Sequence, residues 1–394
     1  MGYSSQPQLG SFRRITSGGR FIPEIDGARL LAILLVLNHH IFLQVAEPRG
    51  VSWPSLLMLP DYGTRGVFLF FTISGFILGL PFARNALLES PERSRRVFSY
   101  RAYLLRRLTR LEPPYAVILA LRLVLLLAVM HEGLKGLLPH FAASLFYLHN
   151  LIFGSMSPVS PPTWSLEVEV QFYLLAPFFA SVFKIRSAVW RRAFLVGVTL
   201  GVSILAQAHD PGSPRLALSL AGNLQYFVAG LLLCDIYVTR PLERISPYAW
   251  DLAAVAALVP LLWDDSPWTL RLFPFGAVLV YTAVLQGHFV RRFFALPLVS
   301  IGGGMCYSVY LTHGTVLTMV DMAFTHFSLV TLPLFAQRTL VIGVSLAAVF
   351  LVGALVFAWL ERPCMDPRWP ARLLDRLHAL LQRQPTLEHP KGGD

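Results

Sequence analysis

Long apolar runs recur along almost the whole chain and alternate with short polar, arginine-rich segments. A helix needs about 20 predominantly apolar residues to cross the hydrocarbon core of a bilayer, and several of the runs approach that length. The pattern therefore predicts an all-α polytopic membrane protein. Its ten predicted transmembrane helices are residues 27–48, 65–83, 113–131, 164–183, 194–209, 216–238, 249–264, 270–288, 297–323 and 335–360.

Two further segments have membrane character without being predicted to span. Residues 137–153 are apolar, but a full span there would place the arginines of 184–192 on the wrong side. A re-entrant or shallow segment is predicted instead, buried in protein or lining a cavity, because unpaired backbone groups cannot face lipid. Residues 370–383 gather leucines on one helical face, which predicts an amphipathic helix on the inner membrane surface.

The composition supports a membrane protein and limits the classes of partner that it can bind. Hydrophobic residues make up 55% of the 394 residues and charged residues only 14%, with a mean hydropathy of +0.57. Soluble domains carry about 25% charged residues. The net charge of +11 is compatible with nucleic-acid binding, but the arginines lie at the ends of apolar runs. That distribution is typical of topology signals and of contact with anionic membrane lipid, and it predicts no nucleic-acid partner.

The positive-inside rule orients the predicted helices. Basic residues cluster before the first span, in the loops at 84–110, 184–192, 240–244 and 291–292, and after the last span. All of these segments are predicted to be cytosolic, so the chain is expected to be a multi-pass protein of the cytoplasmic (inner) membrane with both termini in the cytosol. The predicted division is a cytosolic N-terminal segment, an integral-membrane domain and a cytosolic tail, at 1–21, 22–365 and 366–394.

Arg29 and His40 lie inside the first apolar run, where ionisable side chains are costly and usually mark a function. Eleven residues of α-helix return to within about 20° of the same face and rise roughly 16 Å, so the two side chains share one stripe of the helix. This geometry predicts a site that is reached from both sides of the bilayer. Asp26, one turn before Arg29, is an alternative partner for the guanidinium group.

Three groups that can donate or accept protons are predicted to lie at one depth, in the outer third of the membrane. They are His40 in the first span, His313 in the ninth and Glu169 in the fourth, where Glu169 lies about one and a half turns below Trp164 at the outer boundary. A histidine can remove a hydroxyl proton near neutral pH, and a carboxylate can orient it. Depth does not fix azimuth, so each side chain could instead be a packed hydrogen-bonding residue. Glu169 could also pair with Arg122, an arginine at mid-depth in the third span.

A second cluster, of arginines, is predicted near the cytosolic end of the helices. It comprises Arg29, Arg107 and Arg110, whose guanidinium groups can bind phosphates bidentately and without pH dependence. Most arginines of the 84–110 loop are interpreted as topology signals. Phosphate contacts inside and a base near the outside suggest acyl-coenzyme A as donor, because its pantetheine arm can enter a narrow pore. Three dispersed cysteines and no ligand spacing among His, Cys and Glu predict no metal.

Six short motifs follow one another along the chain, at 29–40 (an Arg, ten residues and a His), 66–76, 107–115, 164–173, 307–313 and 360–363. In this order they resemble membrane-bound acyltransferase family 3, and the resemblance extends from about residue 22 to residue 363. The chain departs from the pattern at Phe68, where many members have an acid.

The resemblance implies an integral-membrane O-acyltransferase of ten helices. Such enzymes move acetyl or short acyl groups from cytosolic acyl-coenzyme A, most often acetyl-coenzyme A, to carbohydrates or other hydroxylated acceptors, often cell-surface glycans. It implies that Arg29 and His40 are essential and that Glu169, Arg107 and Arg110 support them. We therefore expect His40, Glu169 and His313 to be catalytic, and Arg29, Arg107 and Arg110 to bind the donor. Whether His40 acts as a base or as a transient acyl carrier stays open.

Two other classes of function compete with this interpretation. A membrane transporter would use Arg122, Glu169 and the histidines as a proton or substrate path, although the sequence has no internal repeat. A structural subunit of an envelope complex would tolerate the loss of Arg29 and His40. Transfer of label from acetyl-coenzyme A by the purified protein distinguishes an enzyme from both.

Overall fold

Helices account for nearly all of the structure, a computed structural model that describes residues 21–52, 62–88, 99–208, 214–264, 266–325, 332–366 and 369–370. No strand occurs within these ranges. The helices are α1 (Pro23–Ile41), α2 (Tyr62–Leu87), α3 (Tyr100–Ala128), α4 (Leu134–Leu145), α5 (His149–Phe153), α6 (Trp164–Phe179), α7 (Ala188–Ala208), α8 (Pro214–Ala217), α9 (Leu220–Thr239), α10 (Pro247–Trp263), α11 (Pro267–Gln286), α12 (Phe289–Phe294), α13 (Pro297–Gly304), α14 (Cys306–Phe324), α15 (Leu334–Val356) and α16 (Arg362–Cys364).

Proline begins several of the long helices. Pro23, Pro247, Pro267 and Pro297 each occupy the first turn of a helix, where the missing N–H would have no partner and the fixed backbone angle suits the helix. Glu24 and Asp26 add negative charge to the first turn of α1, which favours the partial positive charge of that helix end.

All ten predicted spans coincide with helices, which confirms the all-α polytopic fold. Within the described ranges, eight helices are long and apolar enough to cross a membrane. The other two predicted spans are shorter. Helix α10 has only 17 residues, and the span predicted at 297–323 is divided at Met305 into α13 and α14.

The described parts of the basic loops lie on one face of the bundle, as the charge pattern predicts. Helix α2 runs antiparallel to α1, because Gly63 faces His39 while Gly66 faces Ala32. At the end where α1 begins and α2 finishes, the guanidinium of Arg84 lies over the ring of Tyr237 near the end of α9, and Arg291 of α12 pairs with Glu24 of α1. We call this end the arginine-rich face. Its cytosolic location stays a prediction.

Glycines bring the central helices into backbone contact. A Cβ atom added at Gly75 would lie 2.2 Å from the carbonyl oxygen of Phe227, and one added at Gly230 would lie 2.3 Å from that of Thr72. Small residues allow such close approach, which is a main source of helix association where lipid removes the hydrophobic driving force. Helices α2 and α9 therefore form a rigid pair beside α1.

The segment predicted not to span is helical but short. Helices α4 and α5 have 12 and 5 residues, about 18 Å and 8 Å of helix against a hydrocarbon core of about 30 Å. Glu167 of α6 accepts a hydrogen bond from the backbone N–H of Asn150 at 2.8 Å, and it thereby satisfies a free donor at the start of α5. The predicted N-terminal segment, except residue 21, and the tail after residue 370 lie outside the described residues.

Candidate active site

His40 and His313 meet inside the bundle. Their ring centroids are 4.8 Å apart, and the ring planes form an angle of 79°. His313 is fully buried, whereas His40 is half-buried. The predicted common depth of the two imidazoles therefore corresponds to direct contact between α1 and α14, which depth alone could not establish.

Each imidazole is held by a backbone carbonyl. His40 Nδ1 lies 3.1 Å from the carbonyl oxygen of Val36, and His313 Nδ1 lies 2.6 Å from that of Tyr310. A carbonyl oxygen only accepts, so Nδ1 is the protonated nitrogen in each neutral ring and Nε2 carries the lone pair. His313 Nε2 is buried without a hydrogen-bond partner among the described residues. Both rings thus have Nε2 available to accept a proton.

A separate cavity of about 110 Å³, here called the arginine cavity, lies nearer the arginine-rich face. All three arginines predicted to bind the donor line it, together with Glu169: Arg29, Arg107 and Arg110. His40 and His313 are not among its lining residues. The predicted cluster of arginines therefore occurs in the described part of the chain, whereas only the two histidines of the other predicted cluster lie together.

Carboxylates inside the protein already neutralise two of these arginines. Arg29 forms a short ion pair with Asp26, the alternative partner that the sequence offered. Arg110 lies 3.8 Å from a carboxylate oxygen of Glu361, whose other oxygen accepts a hydrogen bond from Ser308 Oγ at 2.6 Å. Arg107 lines the cavity without an ion pair among the described residues. Glu361 belongs to the last of the six motifs, and its contacts with α3 and α14 had no signal in the local sequence.

Glu169 lies with the arginines rather than with the histidines, contrary to the predicted common depth. It accepts a short hydrogen bond from Ser74 Oγ. Ser74 is eleven residues along α2 from Gly63, which faces His39, so about 16 Å of helix separates the two levels. The depth of Glu169 was counted from Trp164 as a surface residue, but the Trp164 ring instead packs 6.1 Å from that of Phe71, within the bundle.

Tyr310 lies between the two clusters. Its side chain lines the arginine cavity, and its ring centroid is 5.4 Å from that of His313. The Tyr310 hydroxyl donates to the carbonyl oxygen of Pro162 at 2.5 Å and lies 2.7 Å from Ser165 Oγ. A molecule that passes from the arginine cavity to the histidines would therefore pass Tyr310.

Arg122 is not the partner of Glu169, so that alternative is wrong. Its guanidinium lies 3.3 Å from Thr318 Oγ1 and 3.4 Å from the carbonyl oxygen of Val159. Thr318 follows His313 on α14, towards the face opposite the arginine-rich one. The structure thus places Arg122 away from the cavity that Glu169 lines.

A salt bridge that the sequence did not predict joins the two histidine-bearing helices. Arg49, at the end of the 3₁₀ turn that continues α1, forms short contacts with the carboxylate and the carbonyl oxygen of Asp321 on α14. Arg49 also donates to the carbonyl oxygen of Val45 at 2.9 Å. Arg49 lies nine residues beyond His40, and Asp321 lies eight beyond His313. The pair therefore fixes the two helices to each other beyond the histidines, on the side away from the arginine-rich face.

Comparisons with known proteins identify the family of the chain. The family described as "Acyltransferase domain" matches residues 22–360. The peptidoglycan O-acetyltransferase OatA of Listeria monocytogenes is 24% identical over 380 residues, which cover 87% of this chain and 56% of that protein. The membrane-bound transacylase BcsY of Komagataeibacter xylinus is 28% identical over 378 residues, 91% of this chain and 87% of BcsY.

A third relative has a similar sequence identity and coverage. The O-acetyltransferase OatA of Staphylococcus aureus is 23% identical over 330 residues, 77% of this chain and 51% of that protein. The chain thus spans about half the length of the two OatA proteins. No solved structure matches it. The family match covers most of the chain and the described helices are apolar and long enough to cross a membrane, so the chain is a multi-pass membrane protein that belongs to acyltransferase family 3.

Proposed function

We propose that the protein transfers an acetyl group from acetyl-coenzyme A to a hydroxyl group of a cell-surface glycan across the cytoplasmic membrane. The observation that carries this proposal is the contact between His40 and His313, separated by Tyr310 from a cavity that three arginines line. A phosphorylated donor can approach from the arginine-rich face while a hydroxyl group approaches from the other. The positive-inside rule makes the arginine-rich face cytosolic.

In this proposal the arginine cavity holds part of the donor. Arg107 offers a guanidinium free of internal ion pairs among the described residues, and Arg29 and Arg110 can redirect theirs from Asp26 and Glu361 towards phosphate. About 16 Å of helix separates Arg29 from His40, a distance that an extended pantetheine arm can cross. Glu169, at the same level as the arginines, would then border the donor's path and position it, rather than orient His40.

His40 is the proposed general base. Its Nε2 takes the proton from the acceptor hydroxyl as the hydroxyl oxygen attacks the thioester carbonyl carbon. The tetrahedral intermediate collapses with cleavage of the C–S bond, the acceptor keeps the acetyl group as an ester, and the thiolate takes the proton back from His40. His313 Nε2, which has no hydrogen-bond partner among the described residues, can accept a hydrogen bond from the acceptor or from protonated His40.

The acetyl group and the glycan acceptor are inferred from the relatives. Two of them are named O-acetyltransferases, and the name of the Listeria protein gives peptidoglycan as the acceptor. The third is named only as a transacylase. From these names we infer that this chain also transfers an acetyl group and that its acceptor is a hydroxylated envelope glycan. The experiment below identifies the particular glycan.

The test uses the purified protein in lipid nanodiscs, where both faces are accessible. Acetyl-labelled acetyl-coenzyme A is supplied with soluble glycan fragments, peptidoglycan disaccharides included, and labelled glycan that loses its acetyl group in mild alkali is counted. We expect ester formation well above the rate without protein. The absence of transfer and of acetyl-coenzyme A hydrolysis would contradict the proposal. Uptake of label into sealed vesicles without ester would instead favour the transporter.

The salt bridge between Arg49 and Asp321 provides a first prediction. We expect Arg49→Ala to lower kcat for acetyl transfer about tenfold, because a small displacement of reacting groups can cost that much or more. Asp321→Ala should have a similar effect, and the double variant should be no worse than either single one. The four proteins form a double-mutant cycle measured by kcat. Additive losses would show that the two residues do not act as a pair.

A further inference from the structure

A second and larger cavity opens beside the start of α1. It has a volume of about 750 Å³, and we call it the vestibule. Its lining comes from the first turn of α1, the end of α11, and helices α12 and α13, and it includes Glu24, His288, Arg291 and Arg292. Sites for small molecules of nucleotide size are typically about 300–1,000 Å³. The vestibule falls within that range, whereas the arginine cavity, at about 110 Å³, is too small for a nucleotide.

The vestibule contains a positive charge that no acid among the described residues neutralises. Glu24 accepts a hydrogen bond from Arg291 Nε at 3.0 Å, and Asp26 is paired with Arg29. Arg292 has only a histidine as partner among the described residues, since its Nη1 lies 2.7 Å from His288 Nε2. Arg292 is also exposed. An exposed guanidinium beside an imidazole, in a cavity whose acids are already paired, favours a phosphate ligand.

Gly304 connects the two cavities. It lines both of them, it is buried, and a Cβ atom built on it would have no atom within 4 Å. The ion pair of Asp26 and Arg29 spans the same boundary, because Asp26 lines the vestibule and Arg29 lines the arginine cavity. The space at Gly304 is therefore a gap inside the protein rather than lipid-exposed surface.

We infer that the vestibule binds the nucleotide end of the donor and that the thioester arm passes Gly304 into the arginine cavity. This inference rests on the proposed function, since it takes a phosphorylated adenosine carrying a long acylated thiol arm as the ligand. It assigns Arg292 and His288 to the phosphates furthest from the thioester. Arg107 and Arg110 then contact the part of the donor that enters the bundle.

Arg292→Gln tests the nucleotide site. Two donors are compared, acetyl-coenzyme A and S-acetyl-4′-phosphopantetheine, which lacks the adenosine and its phosphates. We expect the KM for acetyl-coenzyme A to rise about tenfold, the KM for the shorter donor to stay the same, and kcat to stay the same for both. Arg244→Gln is the matched control, since Arg244 is exposed and lines neither cavity. The inference would be overturned if Arg292→Gln changed the KM equally for both donors or changed neither KM.

Gly304→Leu tests the passage. The new side chain would extend into open space, so we expect at least a tenfold loss of kcat/KM with both donors and little change in folding. Gly304→Ala should give a smaller loss. Gly343→Leu is the control, because a Cβ atom at Gly343 likewise has no atom within 4 Å, yet Gly343 lines neither cavity. Full activity of Gly304→Leu would contradict the proposal that the thioester arm passes Gly304.

These outcomes separate the inference from the function on which it rests. If the unaltered protein does not use acetyl-coenzyme A at all, the proposed function is wrong. If it does, and Arg292→Gln and Gly304→Leu both behave like their controls, the donor is acetyl-coenzyme A but it enters by another route.

Discussion

Replacing His40 by alanine is expected to abolish acetyl transfer, with kcat lower by about 10²–10⁴-fold, the usual contribution of a positioned general base. His40 Nδ1 is held by the carbonyl oxygen of Val36, which leaves Nε2 as the proton acceptor. Two other imidazoles lie close to His40 among the described residues: the ring centroid of His313 is 4.8 Å away and that of His39 is 5.3 Å away. The measurement is kcat for transfer from acetyl-coenzyme A to the glycan fragment.

The neighbouring residue supplies a matched control. His39 is also an imidazole on α1, with its ring 5.3 Å from that of His40, but it packs against Gly63 of α2, whereas His40 contacts His313. We expect His39→Gln to keep most of the activity. His313→Gln should reduce kcat less than His40→Ala does, because it removes a group that assists the base rather than the base itself. Equal activity of His40→Ala and the unaltered protein would exclude the proposed mechanism.

Whether His40 becomes acetylated distinguishes a general base from an acyl carrier. A carrier would form a bond between an imidazole nitrogen and the acetyl carbon when acetyl-coenzyme A is given without an acceptor. A base would leave His40 unmodified under those conditions. Rapid quenching followed by mass spectrometry of the α1 peptide therefore decides between them, and we expect the unmodified peptide.

The sequence was sufficient to predict the helices and the common depth of His40 and His313. Apolar runs of membrane-spanning length predict helices whatever their neighbours, because no other isolated segment satisfies its backbone in lipid. The depths of His40 and His313 could be counted because both lie in helices whose ends are marked by polar residues. Their contact, by contrast, depends on the rotation of α1 and α14 about their axes, which no single-helix pattern determines.

Glu169 shows where counting depth failed. Tryptophan at the end of an apolar run usually marks the membrane interface. Trp164 instead begins α6 inside the bundle, directly after the 3₁₀ turn Pro161–Thr163, and Tyr310 of α14 donates to Pro162 in that turn. The helix therefore begins below the surface, and each residue counted from it lies deeper than expected. Only the packing of α4, α5 and the following loop over this end could have revealed this.

The sequence predicted on which side the arginines of the loops lie, but not which residues they contact. Clusters of arginine at the ends of apolar runs indicate the side of the membrane, and the described parts of these loops do lie on one face. Their partners lie far away in sequence, however: Arg110 contacts Glu361, and Arg191 and Arg192 both contact Asp235. A topology signal and a buried ion pair have the same local pattern, so only the folded chain distinguishes them.

Asp235→Asn is expected to be the most destabilising single substitution among these ion pairs. The Asp235 side chain is fully buried and contacts Arg191 Nε through one oxygen and Arg192 Nε, at 2.6 Å, through the other. Arg191 is only 2% exposed, so it would lose its counter-charge without gaining water. Removing one partner of a buried ion pair typically costs about 3–5 kcal/mol, because the remaining charge stays desolvated.

Cys234 provides the measurement, because it is the neighbouring residue and its thiol is buried. Heating in detergent with a dye that becomes fluorescent on reaction with thiols reports the temperature at which buried cysteines become accessible. We expect Asp235→Asn to lower that temperature by on the order of 10 °C. Arg192→Gln should lower it much less, since Arg192 is partly exposed and Asp235 would keep Arg191. If the two substitutions had equal effects, the ion pair would be acting as a surface salt bridge, and α7 would be held to α9 by apolar contacts alone.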